Sequence, residues 1–416
     1  MGERRLPRLA AGPLAHAGWI LALALIVRIA LIAQMGNRYY FADTGEYEAA
    51  ARSILAGHGP GADYARAPLY PALMAVGFWL GGVGNYVAAR VLQLVFGLGV
   101  VALTMALVRR VGTPVQARLA GLAAALAPTL VFTSGMLYPT SLYTFLLLAV
   151  ALVAHGIVRR PGLLRAALLG VLLTLAWLTD AIAQLPLAAL LLWMLFGARR
   201  DPSAAGARPR LAAGVAVAVA VALLVALPWQ RYQERTYGRS AAFMPKAQYV
   251  LYAARSRPDI GGAREIRDTS AVFRPLGAGA FLHRELGLFR RQPLGYFSDW
   301  STEFLHFFNP MPDRLQTRNM YNRGGLKALA AIYFTPVLAL AILGLFWGGV
   351  ALRDRLFLAL MPLTSAGTYA FFFTQTRYRV PVEPFLLALA ALGVSRLFRR
   401  GVDADAPGGS APPPPR

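Results

Sequence analysis

Ten stretches of this chain are apolar over a length that can cross a bilayer, and no other feature leaves so little freedom to the fold. They run from Ala17 to Met35, Tyr86 to Val108, Val115 to Phe132, Tyr138 to Val158, Leu163 to Leu178, Ile182 to Gly197, Leu211 to Pro228, Ala328 to Val350, Leu356 to Phe373 and Val380 to Leu397. A helix needs about 20 apolar residues to cross the hydrocarbon core. Composition agrees: 57% of residues are apolar and 15% charged, against about 45–50% and about 25% in soluble domains. A water-surrounded globular protein is excluded, and an all-α polytopic membrane protein is expected.

Charge orients the spans. The short gaps carry Arg4, Arg5 and Arg8; Arg109, Arg110 and Arg118; Arg159, Arg160 and Arg165; Arg199, Arg200, Arg208 and Arg210; Arg353 and Arg355; and Arg396, Arg399 and Arg400, in every second gap. Such clusters stay on the cytoplasmic side, so both termini are expected in the cytoplasm of a cell that holds the protein in its inner or plasma membrane. A further apolar stretch, Leu69 to Val83, would invert every later cluster if it crossed. It is read as an interfacial helix, giving ten spans, with eleven as the alternative. The first run lacks a small-residue cleavage site and reads as an anchor.

The resulting organisation is a cytoplasmic segment 1–16, a membrane module 17–228 with a first outer loop 36–85, a large outer loop 229–327, C-terminal spans 328–400 and a Pro-rich cytoplasmic tail 401–416. The large loop exceeds the usual structureless connection and should be helical, with Leu282, Leu286 and Phe289 marking one helix before Pro293. Tyr296, Phe297, Trp300, Phe304, Phe307 and Phe308 mark another, suited to the membrane interface.

The net charge of +23 suggests nucleic acid in a soluble chain, but here it sits beside spans and is read as topology and attraction to membrane lipids, with no nucleic-acid partner. The absence of cysteine excludes disulfides and thiol chemistry. The five histidines show no i, i+4 metal pair, and no Gly-rich nucleotide loop is present. No cofactor is expected; dependence on a divalent metal is not fixed by sequence.

Chemistry concentrates in the outer segments. Asp43 followed by Glu46 has capping-box spacing, and Asp43 at a cavity mouth is also placed to accept a proton from a hydroxyl or amine. Arg66, before Pro68-Leu69-Tyr70-Pro71, either snorkels to headgroups or grips a phosphate with its guanidinium fork. Asp180 at a span end is a helix cap or a second acid. Arg377 and Arg379 break the local charge trend and contact either headgroups or a donor phosphate. Arg28, inside the first span, pairs with a carboxylate, lines a cavity or snorkels to the interface. His283, beside Arg284 and Glu285, is carried as a substrate-binding candidate that could also join a metal site.

The order Asp43…Tyr47…Ala50…Ile54…Gly57…Arg66-x-Pro68-Leu69-Tyr70-Pro71, then Ala89-Arg90, Ala127-Pro128, Leu227-Pro228-Trp229, the stretch Phe281 to Pro293 and Arg377-Tyr378-Arg379-Val380-Pro381-Val382-Glu383-Pro384, resembles the GT-C membrane glycosyltransferases. The likeness is to glycosyltransferase family 39 and the aminoarabinose-transferase relatives of protein mannosyltransferases, from about Ala17 to Arg400. It implies transfer of a sugar from a polyprenyl-phosphate donor to an extracytoplasmic lipid, glycan or protein. It also implies Asp43 as base or acceptor-positioning group, with Arg66 and neighbouring Tyr70 on the donor. The chain departs from its relatives in lacking an acid across Gly135-Met136-Leu137-Tyr138-Pro139-Thr140-Ser141, and in having Thr179-Asp180-Ala181 and Gln230-Arg231-Tyr232 where other residues are usual. The segment Trp229 to Lys327 holds 16 basic and 8 acidic residues, a net +8 suited to an anionic donor. A non-catalytic relative that binds, flips or scaffolds lipid-linked sugars is the alternative.

Overall fold

The computed structural model describes residues 15–41, 43–61, 66–197, 208–237, 283, 286–287, 289–313, 324–372 and 374–404. Among them every element is helical: α1 Ala15–Met35, α2 Asp43–Leu55, α3 Leu69–Gly81, α4 Tyr86–Val111, α5 Pro114–Leu126, α6 Pro128–Gly135, α7 Thr140–Arg159 and α8 Leu163–Trp177. There follow a 3-10 turn Ala181–Ala183, α9 Gln184–Gly197, α10 Arg208–Tyr237, α11 Pro293–Phe307, α12 Gly324–Trp347, α13 Leu352–Phe372, a 3-10 segment Thr376–Val382 and α14 Glu383–Ala404.

Each of the ten apolar runs is helical, and the chain is a polytopic membrane protein. Six described helices are long and apolar enough to cross a bilayer, and a seventh is gained if α5 and α6, bent by 53°, count as one span. Leu69–Gly81, Leu163–Trp177 and Ala181–Phe196 are shorter apolar helices. Apolar side chains such as Ile26, Val95, Leu224 and Ile332 stay exposed on the outside of the bundle, where hydrocarbon replaces water as the solvent.

Local chemistry sets the helix ends. α5 opens on a capping box between Thr113 and Gln116 with Pro114 in its first turn, and α4 opens where the Asn85 side chain accepts from Ala88 N. Pro293 opens α11, at a position where proline loses no helical hydrogen bond.

One expected boundary moves. Sequence places the opening of the large loop at Trp229, yet α10 runs on through Pro228 to Tyr237. Proline costs one backbone bond there, and burial of Trp229 and Gln233 keeps the next two turns in place. Leu282 and residues 238–281 of that loop, residues 1–14 and residues 405–416 of the tail lie outside the described residues, and the last helix runs four residues into the expected tail.

The run Val115 to Phe132 is broken between Ala127 and Pro128. Pro128 has no N–H to give, so the last carbonyls of α5 lose their helical partners inside the bundle. Arg28 of α1 supplies them: fully buried, it donates to Ala125 O at 3.1 Å, Ala124 O at 3.4 Å and, on α6, to Ser134 Oγ at 3.0 Å. Tyr333 of α12 donates to Ala123 O at 2.8 Å. The far end of α6 is held in the same way. Arg90 of α4, also fully buried, donates to Gly135 O at 2.7 Å and Gly36 O at 2.6 Å, and Gln93 donates to Thr133 O at 2.8 Å and to Met136 O.

Candidate functional site

The loops that join α1 to α2, α2 to α3, α6 to α7, α8 to α9 and α13 to α14 meet at one end of the bundle, opposite the Arg109–Arg110 end. Asp43 and Glu46, one turn apart on α2, project from the same face. Both reach Arg66: Arg66 Nε lies 2.6 Å from Glu46 Oε2, and Arg66 Nη2 lies 3.2 Å from Asp43 Oδ1. Arg66 Nη1 also donates to Tyr47 OH at 3.4 Å, with the guanidinium carbon 5.2 Å from that ring's centre. The Arg66 segment is pinned by Leu69 N donating to Leu178 O at 2.9 Å.

The second oxygen of Asp43 is engaged from the other side. Tyr138, held by the braced end of α6, donates its hydroxyl to Asp43 Oδ2 at 3.1 Å. Burial pushes the Tyr138 phenol up to about 12, with Arg377 pulling against it and Asp43 adding to it, so it stays a donor at neutral pH. Arg377 stands 5.6 Å from the Tyr138 ring centre and 5.3 Å from that of Tyr378. Burial works against the charge on Arg66. Tyr47, Glu46, Tyr138 and Asp43 outweigh it and hold the guanidinium pKa above its ordinary value.

Asp180 joins from the end of α8. It accepts from Ile182 N at 3.1 Å, capping the 3-10 turn, and from Tyr369 OH at 3.4 Å. Burial raises its pKa, against the opposing pull of these two bonds and of Arg66. Asp180 is thus the cap of the 3-10 turn, with its second oxygen turned to Tyr369.

These contacts close into a ring. From Arg66 they pass to Asp43, Tyr138, Arg377 and Tyr378, which stacks on Tyr369 at 4.5 Å. Tyr369 leads to Asp180, and the cluster of Trp177, Leu178 and Ala181 packed around Ala67 and Trp229 leads back to Arg66. Asp43, Asp180, Arg66, Arg377, Tyr138, Tyr369 and Tyr378 thus follow one another through direct contacts.

Four expected site residues stand apart from it. Arg28, expected to pair with a carboxylate or line the cavity, is instead spent on backbone carbonyls at the α5–α6 break. Arg379, expected to contact the donor, is fully buried: it pairs with Glu383 at 3.2 Å, donates to Asn309 O at 2.6 Å and covers the Phe334 ring. Tyr70 is buried and gives its hydroxyl to Gln93 Oε1 at 2.8 Å. His283 is exposed, and among the described residues no group of three His, Asp or Glu is spaced to hold a metal ion. Sequence does not single out Tyr138, Tyr369 and Tyr378. Tyr138 lies in the stretch that lacks an acid, and there it contributes a donor instead.

No family model matches the chain, and no curated protein does. Solved structures do. ArnT from Cupriavidus metallidurans bound to undecaprenyl phosphate superposes with a TM-score of 0.53 at 18% identity, over 93% of this chain and 62% of that one. The archaeal oligosaccharyltransferase AglB from Archaeoglobus fulgidus, in complex with an inhibitory peptide and a dolichol-phosphate, gives 0.55 at 13% identity, over 95% of this chain and 52% of that one. The apo form of that enzyme gives 0.56. The chain thus spans between half and two thirds of these proteins' length. Its helices are arranged as theirs are, so the chain shares the fold of these membrane proteins.

Proposed function

We propose that this chain is a membrane glycosyltransferase that moves a sugar from a polyprenyl-phosphate donor onto an extracytoplasmic lipid, glycan or protein. The observation that carries the reading is the Asp43 carboxylate set between Arg66 and Tyr138, with Arg377 against the same tyrosine. In transfer, the Asp43 carboxylate takes the proton from the acceptor hydroxyl or amine. The acceptor atom attacks the anomeric carbon, and the bond from that carbon to the phosphate oxygen breaks. The polyprenyl phosphate leaves with its charge facing Arg66 and Arg377, where preorganised cations lower the barrier. Glu46 holds Arg66 in place, and Asp180 is the second acid of the ring. The structures bearing undecaprenyl phosphate and dolichol-phosphate support the choice of donor class, and the positive-inside pattern supports an outward-facing site in the inner or plasma membrane.

A general base contributes about 10²- to 10⁴-fold, so an Asp43→Asn variant should lose transfer by that factor at normal expression. Comparative mass spectrometry of surface lipids, glycans and glycoproteins from wild-type, deletion and Asp43→Asn strains tests this and identifies the acceptor. Full transfer by Asp43→Asn would remove the base assignment. The second reading, a protein that binds or flips a lipid-linked sugar without reacting, draws on the engagement of both Asp43 oxygens. It gains if deletion abolishes a glycan that the Asp43→Asn and Asp180→Asn strains still make.

A further inference from the structure

A short non-helical strip, Thr374 and Gln375, leads from α13 into the 3-10 segment that carries Arg377. That segment opens at Thr376 without a side-chain cap from Gln375, and Thr374, Gln375 and Thr376 are all buried. Buried backbone N–H groups need acceptors, and here the large outer loop supplies them. Glu303 Oε2 of α11 accepts from Thr374 N at 2.8 Å, and Asp313 Oδ2 accepts from Thr376 N at 2.6 Å.

Asp313 and Thr376 are joined by more than that bond. Thr376 Oγ1 donates to Asp313 Oδ2 at 3.0 Å and accepts from Asp313 N at 3.0 Å, so main chain and side chain are tied in both directions. The other carboxylate oxygen, Oδ1, lies 2.9 Å from His306 Nε2 in the last turn of α11. Bonds that a carboxylate accepts from N–H groups are stronger than neutral ones. The turn between α11 and Asp313 is stiff. Pro310 and Pro312 each fix a φ angle, and the Asn309 side chain accepts from Met311 N at 3.0 Å. α11 is itself seated on α13, where Trp300 Nε1 donates to Gly367 O at 3.1 Å.

Beyond Arg377 the same turn is gripped again. Arg379 Nη1 donates to Asn309 O at 2.6 Å while Arg379 Nε lies 3.2 Å from Glu383 Oε1. Positions 376 and 379 are thus both bound to the turn that follows α11. Between these buried positions Arg377 and Tyr378 are partly exposed, and Arg377 stands 5.6 Å from the centre of the Tyr138 ring. An arginine on a loose loop must be ordered when an anion arrives, whereas one on a strip held at both sides has less freedom left to lose.

We propose that Asp313 is a positioning residue of the donor site: through Thr376 it holds the backbone from which Arg377 faces Tyr138 and the leaving phosphate. This rests on the donor reading above and gives the large outer loop a part in binding that donor. Asp313 acts through Arg377 and not on the phosphate.

The test is a double-mutant cycle on the full chain in detergent, read as affinity for farnesyl phosphate together with the unfolding temperature. Asp313→Ala should weaken binding by about 3- to 10-fold, the value of one hydrogen bond lost from the frame of Arg377. The sign is diagnostic, because loss of a carboxylate makes the site more positive and by charge alone favours an anion. Asp313→Asn makes the same change of charge but keeps an oxygen that can accept from Thr376 N, so it should regain most of the affinity. In an Arg377→Gln background, itself weaker than wild type, Asp313→Ala should have no further effect. Trp300→Phe, which loosens α11 at a contact away from the strip, should lower the unfolding temperature and keep the affinity. Where Asp313→Ala does not fold, Thr376→Val, which removes the hydroxyl half of the joint and no charge, carries the same cycle. Wild-type affinity in Asp313→Ala, equal loss with and without Arg377, or equal loss in Trp300→Phe overturns the inference and leaves the donor reading standing. Unchanged affinity in Arg377→Gln, or a wild type that binds no farnesyl phosphate, overturns the donor reading, and the inference with it.

Discussion

Arg66→Lys keeps the positive charge and removes the fork, and the structure gives the size of the loss. The guanidinium serves Glu46 at 2.6 Å and Asp43 at 3.2 Å at once while lying over the Tyr47 ring. An ammonium on a shorter stem can serve one carboxylate. A charge-assisted bond is worth about 1.5–3 kcal/mol when desolvated. The Asp43 and Glu46 side chains remain 31% and 47% exposed, so solvent screening brings the lost contact down to about 1 kcal/mol. The cation over Tyr47 adds about 0.5–1 kcal/mol. The sum, about 1.5–2 kcal/mol, is the anchoring of Arg66 in the ligand-free chain, and losing that preorganisation weakens affinity by up to about 10- to 30-fold. Farnesyl phosphate binding to the purified chain, followed by thermophoresis, reads it directly, and thermal unfolding in the same detergent should fall in parallel. Adding Glu46→Gln removes the competing carboxylate and should return part of the affinity to Arg66→Lys. Unchanged affinity in the single variant, or no recovery in the double, would refute the view that Arg66 is shared between α2 and the donor.

Three further outcomes are expected in other parts of the molecule. Arg28→Met leaves the Ala124 and Ala125 carbonyls buried without their donor and should cost about 2 kcal/mol of stability, seen as a lower unfolding temperature without a change in pH dependence. Gly344→Ala drives a methyl group into the Leu389 backbone carbonyl of α14; because backbone cannot step aside, a loss of at least about 1–3 kcal/mol is expected, and wild-type thermal stability in this variant would show that the two helices can part. Asp180 has its pKa raised by burial above the ordinary 3.8. The folded chain therefore holds that proton more tightly than the unfolded one, and the associated stability is present at low pH and lost as pH rises through the raised value. Thermal stability measured from pH 4 upward should fall along this slope in the wild type and lose it in Asp180→Asn.

Much of the fold is readable in the sequence because bilayer crossing needs length and apolarity, both visible along one chain. All ten apolar runs are helical, with Val115 to Phe132 split into two helices, and Leu69–Gly81 is a short separate helix. The break at Pro128 is harder to read. Hydropathy continues through it to Phe132, and proline alone does not say whether a helix stops, bends or, as at Pro228, carries on. The same ambiguity hides the role of Arg28. An arginine in an apolar run reads as a functional charge until the broken helix is seen, and its unpaired carbonyls then account for the guanidinium.

The site is legible as a set of residues and not as a set of pairs. Asp43, Glu46, Arg66, Asp180 and Arg377 stand out because charges are rare beside apolar runs. The tyrosines that join them do not, since an aromatic residue near a span end is ordinary. Asp180 and Tyr369 are 189 positions apart, and no local pattern announces such a contact.

The eight residues of α6 have consequences for how the molecule is made. A single helical turn or two with a proline at one end cannot hold itself in hydrocarbon, and its supports arrive at different times during synthesis. Arg28, Arg90 and Gln93 come from helices already inserted, but the hydroxyl of Tyr333 and the carboxylate of Glu383, which accepts from Thr129, lie 210 and 254 positions downstream of their partners. Until the last spans leave the ribosome, the segment that presents Tyr138 to Asp43 lacks part of its frame. A chain stopped short of α12 would lack Tyr333 and Glu383, and with them part of the frame around α6, as well as the Tyr369 hydroxyl that Asp180 accepts from.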